Sequence, residues 1–379
     1  MITSPPPPPA PAPPVVERPA AYQASYGMVE GRAPQGARRV IVRVDGEVVR
    51  ELRLRERAFV VDVELPPREV SVRVETVHRG GRRAGTTVHH VLGLPRAARP
   101  RVRIPRLDPG LQSAIRRLSG GFPGTSAVYV ENLTTGGAAA WNARATFPAA
   151  STLKLAVAVT LLARTDGPPR PGSVLDDLVR RLLVASDNES ANRLLMLLGG
   201  STSGGGHLVD SLMRSIGLER TVMYGGYVIE TALGPPREIA ARGVPLTVTD
   251  QPAWGVGKAT TAVDLARLHR AIWLGSAGLG PLGRGRSGVS PAEARYLLYL
   301  LARVRDRGKL DRFVGRRGGV AVLHKAGWVD PARHDAGLVV WRSGIFVAAV
   351  MTHRAAGAGI RSDVLAGQVA KTAFARFRG

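Results

Sequence analysis

The sequence predicts an α+β protein: an antiparallel five-stranded sheet flanked by helices and interrupted by an all-helical subdomain, with a small β-sandwich domain in front. Three observations predict it. Residues 38–94 hold short β-rich runs around an Asp45-Gly46 turn. Proline-rich stretches bound those runs on both sides. Beyond them the periodicity reads helix, two strands, a long helical block, three strands and a closing helix.

In chain order, residues 1–35 begin "MITSPPPPPAPAPPVV" and read as an extended, disordered tether. Residues 36–96 form the β-sandwich. "RVIVRVDGEVVRELRL" places Asp-Gly between two β-rich runs, a hairpin signal, and "VSVRVETV" alternates Val70, Val72 and Val74 with polar neighbours. No chemistry is visible in this domain, so a binding, spacer or purely structural role is open. Residues 97–108, "ARPRVRIPRL" at their heart, form a Pro/Arg linker. Residues 109–379 make the second domain. "LQSAIRRL" is its first helix, "SAVYVENL" and "AAAWNARATF" its first two strands, and a helical block runs to Val304. "VAVLHKAGW", "AGLVVW" and "GIFVAAVMTH" supply the last three strands, and "IRSDVLAGQVAKTAFARF" the last helix.

Composition narrows function. A formal net charge of +24 attracts polyanions, and anionic cell-wall polymers are a possible partner. Zinc spacing, helix-turn-helix and aromatic RNA-binding signatures are missing, so no specific nucleic-acid partner is expected. There is no cysteine, and the eight histidines form no H-E-x-x-H, so neither a metal nor another cofactor is expected. No apolar run approaches the ~18 residues a membrane helix needs, and the N-terminus lacks a signal peptide's basic and apolar regions.

One feature stands out in the helix "STLKLAVAVTLL". Lys154 sits one turn after Ser151 on one face, among Leu153, Leu155, Ala156 and Val157. Desolvation lowers an ammonium's pKa, and a neutral amine beside a hydroxyl is a base beside a nucleophile. A surface lysine snorkelling from its helix has the same local sequence. Yet 48 of the 53 basic residues are arginine, so lysine is scarce where only charge is wanted. Ser186-Asp187-Asn188, between two helical runs, reads alone as a turn or helix cap. Lys325-Ala326-Gly327 reads alone as a strand edge.

Together and in this order, S-x-x-K, S-D-N and K-[ST]-G are the signature set of class A β-lactamases and penicillin-binding proteins. The chain resembles that superfamily, and its class A branch most closely, over about residues 109–379. "ASDNESANRLL", "KAGWVDPARHDAGLV" and "KATTAVDLARLHRAI" extend the likeness beyond the bare motifs.

The resemblance implies a serine hydrolase that opens β-lactams through an acyl-enzyme on Ser151, with Lys154 accepting its proton. Ser186, helped by Lys325, would pass a proton to the leaving nitrogen. Asn188 would bind the substrate's acyl-amide group. Gly327 and Trp328 would line the substrate site, with backbone N–H groups of Ser151 and Trp328 as the oxyanion hole. Asp187 would be structural, and Asn192 a helix-packing residue. The family likeness also implies an extracytoplasmic location, and a monomer is expected.

Three departures qualify the likeness. Ser151 and Ser186 are only 35 residues apart, so the helical subdomain is trimmed. Ala326 replaces the Thr or Ser whose hydroxyl would bind the substrate carboxylate, and Arg333 is the candidate to supply that contact. The deacylating glutamate is matched only by Glu230, with Leu233 following but Gly234 where the family has Asn; Glu238 is the weaker alternative. The alternatives are a D-Ala-D-Ala peptidase or other wall hydrolase that β-lactams acylate but leave slowly, and a non-catalytic wall-binding protein.

Overall fold

In the computed structural model of the chain, residues 10–223, 241–255, 257–283, 288–315 and 319–378 are described. The chain divides into two compact units, residues 1–96 and 97–379. The first unit carries 15 basic and 10 acidic residues and the second 38 and 19, so most of the positive excess belongs to the second.

The first unit is all strand. Its elements are β1 (Val15–Arg18), β2 (Ala24–Ser25), β3 (Met28–Arg32), β4 (Ala37–Val44), β5 (Glu47–Arg53), β6 (Ala58–Asp62), β7 (Glu69–His78) and β8 (Arg83–Gly93). They form a three-stranded sheet, β1-β3-β6, and a five-stranded sheet, β2-β8-β7-β4-β5. The β4–β5 hairpin turns at Asp45 and Gly46, with φ of 49° and 91°, the left-handed pair that an Asp-Gly turn supplies. Val70, Val72 and Val74 are buried together with Val40, Val42, Phe59, Val61 and Val29 in one apolar cluster. The disordered tether expected over residues 1–35 is therefore corrected from Val15 onward. "VVER" and "MVEGR" pair antiparallel, and Val16 and Val29 are drawn into the cluster. Burying apolar side chains outweighs the extended bias of the neighbouring prolines.

The second unit starts earlier than residue 109. Within the expected linker, β9 (Arg106–Leu107) pairs in parallel with β11 (Gly137–Trp141), and Trp273 Nε1 donates to the Ala98 carbonyl at 2.8 Å. The sheet order is β14-β15-β16-β10-β11-β9, with β10 (Thr125–Asn132), β14 (Val320–Val329), β15 (Ala332–Trp341) and β16 (Gly344–His353). The five expected antiparallel strands are thus joined by one short parallel edge. A two-residue ribbon pairs β12 (Phe147–Pro148) with β13 (Ala259–Thr260).

Helices α1 (Pro109–Gly120) and α8 (Gly359–Arg378) cover one face. Leu111, Ile115, Val128, Phe346, Val350, Leu365, Val369 and Phe374 form the core there. Asp108 caps α1 by accepting from the Leu111 N–H at 3.0 Å. Between β11 and β14 come α2 (Lys154–Leu162), α3 (Val174–Val184), α4 (Asn188–Gly199), α5 (Thr202–Ser215), α6 (Ala262–Gly275) and α7 (Pro291–Leu301). Every residue of α2 is buried, Lys154 and Thr160 along with its seven aliphatic residues. No helix among the described residues is long and apolar enough to cross a membrane.

Candidate active site

The site begins where β12 ends. Pro148 is fixed by its carbonyl, which accepts from His334 Nε2 at 2.7 Å, and Ala149 N–H donates to the Lys258 carbonyl at 2.7 Å. Ala150 follows at φ 49°, a left-handed conformation that costs a non-glycine residue ~1–3 kcal/mol and needs such anchoring to persist. Ser151 lies in the 3-10 turn Ala150–Leu153, not in the first turn of the α-helix, which starts at Lys154. The carbonyl of Ala149 accepts from Thr152 Oγ1 at 2.5 Å, tightening that turn.

Gly327 of β14 packs directly on this turn. A Cβ there would stand 2.7 Å from both Ser151 N and Thr152 N, backbone atoms that cannot step aside. Gly327→Ala should therefore displace the turn, lower the reactivity of Ser151 at least tenfold and destabilise the fold by ~1–3 kcal/mol. Reaction rate and denaturant midpoint measured together check this, and an unchanged reaction rate would contradict it.

Lys154, Ser186, Asn188 and Lys325 converge, as the three motifs predict. Lys154, 7% exposed, donates to Asn188 Oδ1 at 2.5 Å, to the Ser186 carbonyl in a short contact and to Ser186 Oγ at 3.5 Å. Lys325, fully buried, donates to Ser186 Oγ at 2.9 Å and to the Ala326 carbonyl at 2.8 Å. One hydroxyl thus bridges two amines. Burial pulls the Lys154 ammonium down to about 8, an effect Asp187 opposes and Lys258 reinforces. Burial, and then repulsion from Lys154, pull Lys325 down to about 7. Ser186 is held at φ 58°, again left-handed. Asp187 caps α4, accepting from Ser190 N–H at 2.9 Å and from Arg181 at 3.0 Å.

Of these groups Lys154 and Asn188 open, with Ser151, onto a cleft of about 600 Å³ that is lined also by Asn192, Leu195, Met223, Trp254, Lys258, Trp328 and Val329, while Ser186, Lys325 and Gly327 are not among its lining residues. Trp328 is 59% exposed at its rim. None of the described residues lining it carries a carboxylate. Glu230 and Glu238 lie outside the described residues.

Two expectations are corrected here. Arg333 is not among the cleft-lining residues; its guanidinium donates to Asp363 at 2.7 Å and lies 5.8 Å from the Trp328 ring centroid. Asn192 is exposed and lines the cleft, not a helix-packing contact. Sequence reasoning missed Lys258, Trp254 and His334. Lys258 opens the family-like stretch "KATTAVDLARLHRAI" and is one of only five lysines, and His334 lies within "KAGWVDPARHDAGLV", but neither stretch assigned them a role; Trp254 carries no local signal. No group of His, Cys, Asp or Glu among the described residues is placed to hold a metal ion.

Buried ionisable groups tie the fold to pH. Burial pulls His334 and His269 down from 6.5 to about 4. Their folded pKa lies below the unfolded one, so stability falls as pH drops from 6.5 toward 4. Each costs ~2 kcal/mol by pH 5. Burial instead raises Asp264 from 3.8 to about 6, which returns ~1 kcal/mol over the same interval. Denaturation at pH 7 and pH 5 should show a net loss of ~3 kcal/mol, and equal stabilities would contradict it.

A sequence profile of the β-lactamase enzyme family matches residues 110–167 and 169–377. Among curated proteins, none matches. The solved structures it resembles include PBP-A, at 23% identity and a TM-score of 0.53, covering 73% of this chain and 99% of that one. A PBP-A mutant captured as an acyl-enzyme complex with penicillin G scores alike. A class A β-lactamase from Mycobacterium abscessus is 17% identical, with a TM-score of 0.53 over 71% of this chain and 100% of its own. At these identities the likeness is one of fold. The family match over most of the second unit, with the three motifs in contact with one another, makes this chain a member of the β-lactamase enzyme family.

Proposed function

We propose that this protein is a serine hydrolase that opens β-lactams by acylating Ser151. The observation that carries the reading is the Ser186 hydroxyl between two buried lysines, one of which, Lys154, shares the cleft with Ser151. Ser151 Oγ attacks the lactam carbonyl as Lys154 takes its proton. The C–N bond breaks, and the ring nitrogen receives a proton through Ser186 with Lys325 behind it. Backbone N–H groups at Ser151 and Trp328 hold the developing oxyanion, the contribution that counts most in acyl transfer. Asn188 binds the amide of the acyl side chain.

Release of the ester needs a water and a base within reach of it. Since no carboxylate lines the cleft among the described residues, a second reading is a penicillin-binding enzyme with slow turnover. Intact-protein mass spectrometry after mixing with benzylpenicillin, followed in time, tests both. The reading predicts addition of one penicillin in the wild type and none in Ser151→Ala. If Glu230 is the deacylating base, Glu230→Gln leaves acylation unchanged and prolongs the adduct ~10²–10⁴-fold. A change in adduct lifetime below tenfold removes Glu230 from the mechanism. A wild type that neither takes up penicillin nor hydrolyses it refutes the whole reading.

A further inference from the structure

We infer that Asp306 and Asp335 are positioning residues that act through Lys325, keeping it charged where it meets Ser186. Only the rate measurement below rests on the reading of Ser151 given above. Ser186 and Lys325 meet at 2.9 Å from segments 139 residues apart, and a second route ties those segments together. Arg305 N–H donates to the Val184 carbonyl at 3.0 Å, just before Ser186. Leu310 N–H donates to Asp335 Oδ2 at 3.0 Å. Between these two anchors Asp306 accepts from Lys309 Nζ, and Asp311 Oδ1 accepts from the N–H groups of Gly308 at 2.8 Å and Lys309 at 3.0 Å. Asp335 stands directly across the β14–β15 ladder from Ala326, and both its oxygens accept from Nδ1 of His324, at 2.8 and 2.9 Å. Lys325 lies between His324 and Ala326, so both carboxylates belong to the bonded frame that holds it to Ser186.

Asp335 is 1% exposed, and its contacts among the described residues are that imidazole and one backbone N–H. A carboxylate buried in this way carries a heavy desolvation cost, and its field reaches nearby cations with little screening. Burial and the repulsion of Lys154 work against a charged Lys325; Asp306 and then Asp335 work for it, and Lys309 works against it. Lys154 instead feels Asp187 and Lys258. From α6, His269 also feels Lys325, but burial holds its pKa at about 4, so it stays uncharged above pH 5. The ionisable side chains of α7, which packs on β14, are engaged elsewhere: Glu293 with Thr165, Arg295 with the Ser276 carbonyl, Tyr296 with Asp176 and Tyr299 with Arg303.

Acyl transfer needs Lys154 neutral and Lys325 charged at once. Removing a carboxylate that favours the Lys325 ammonium lowers the pKa of Lys325 and leaves that of Lys154 in place. Near and above pH 7 the singly protonated pair then keeps its proton on Lys154, the unproductive arrangement. Well below pH 7 both amines are protonated, and the rate depends only on release of the Lys154 proton. The loss should therefore grow with pH. A residue that merely holds the fold would lower the rate alike at every pH.

The test uses the full-length chain as wild type, Asp335→Asn and Asp306→Asn, each with ¹³C-labelled lysine. The chain has only five lysines, and Lys325→Met identifies the Lys325 signal. NMR titration should show the Lys325 midpoint lowered by ~0.5–1 pH unit in each variant. Acylation by benzylpenicillin, followed by mass spectrometry, should be ~3–10-fold slower at pH 8 and within about twofold of the wild type at pH 5.5. An unmoved Lys325 midpoint in both variants overturns the proposal, and so does an equal loss of rate at both pH values. If Asp335→Asn fails to fold, Asp306→Asn, whose side chain is 33% exposed, carries the test alone. A wild type that is never acylated would sink the Ser151 reading, and the lysine titration would then decide the proposal by itself.

Discussion

Lys325→Met is expected to cut acylation of Ser151 by ~10²–10⁴-fold while making the protein more stable. The first effect follows from removing the amine that donates to Ser186 Oγ at 2.9 Å, and with it the proton path to the leaving nitrogen. The second follows from burial. Holding a fully buried ammonium near 7 instead of 10.5 corresponds to ~4–5 kcal/mol of disfavoured charge, an upper bound on what methionine recovers. Methionine fills a similar volume but forfeits the hydrogen bonds to Ser186 and the Ala326 carbonyl. The net gain expected is ~2 kcal/mol at pH 6. Because the folded pKa lies below the unfolded one, the wild type gains stability as pH rises from about 7 toward 10.5. The variant's advantage should therefore be largest below pH 7 and fade above it. Denaturant midpoints of both chains at pH 6 and pH 9.5 check this, and a destabilised variant at pH 6 would contradict the account of Lys325.

Lys154→Arg should lose acylation almost as completely as Lys154→Ala, because arginine keeps the charge and cannot yield a proton. With both amines bonded to one hydroxyl, the two lysines titrate as a pair. Below about 7 the pair holds two protons and offers no base. Above about 8 it holds none and has no ammonium to return a proton. The singly protonated pair, populated between those values, does the work. Its productive form puts the neutral amine on Lys154, about 1.4 kcal/mol above the form with neutral Lys325, and the Ser186 hydroxyl lets the proton pass between them. The acylation rate should trace a bell with its maximum between pH 7 and 8. A rate in Lys154→Arg within tenfold of the wild type would reduce Lys154 to an electrostatic role.

The strands of the second unit were legible because alternation and apolar runs report burial directly. Val128, Val130, Phe346 and Val350 face the core as their spacing implies. The motif residues were legible because acyl transfer limits which side chains serve, so Ser151, Lys154, Ser186, Asn188 and Lys325 could be named before their positions were known. Residues fixed by long-range contact were not. β1 and β3 hide among prolines, and their pairing depends on a cluster that runs from Val16 to Val91. β9 is two residues long, too short for any period. Arg333 looked available until α8 brought Asp363 against it. Gly327 was named from its motif, but its packing on the Ser151 turn, like the bond from Ala149 N–H to the Lys258 carbonyl, is a long-range backbone contact that no local pattern records.

Peptide mapping of the penicillin-treated chain tests the central claim most directly. After reaction with benzylpenicillin at pH 7.5 and an acid quench, proteolysis and tandem mass spectrometry should place the penicilloyl group on Ser151 and on no other residue. An adduct on Ser186, on a lysine, or elsewhere in the chain would contradict the claim that Ser151 is the nucleophile.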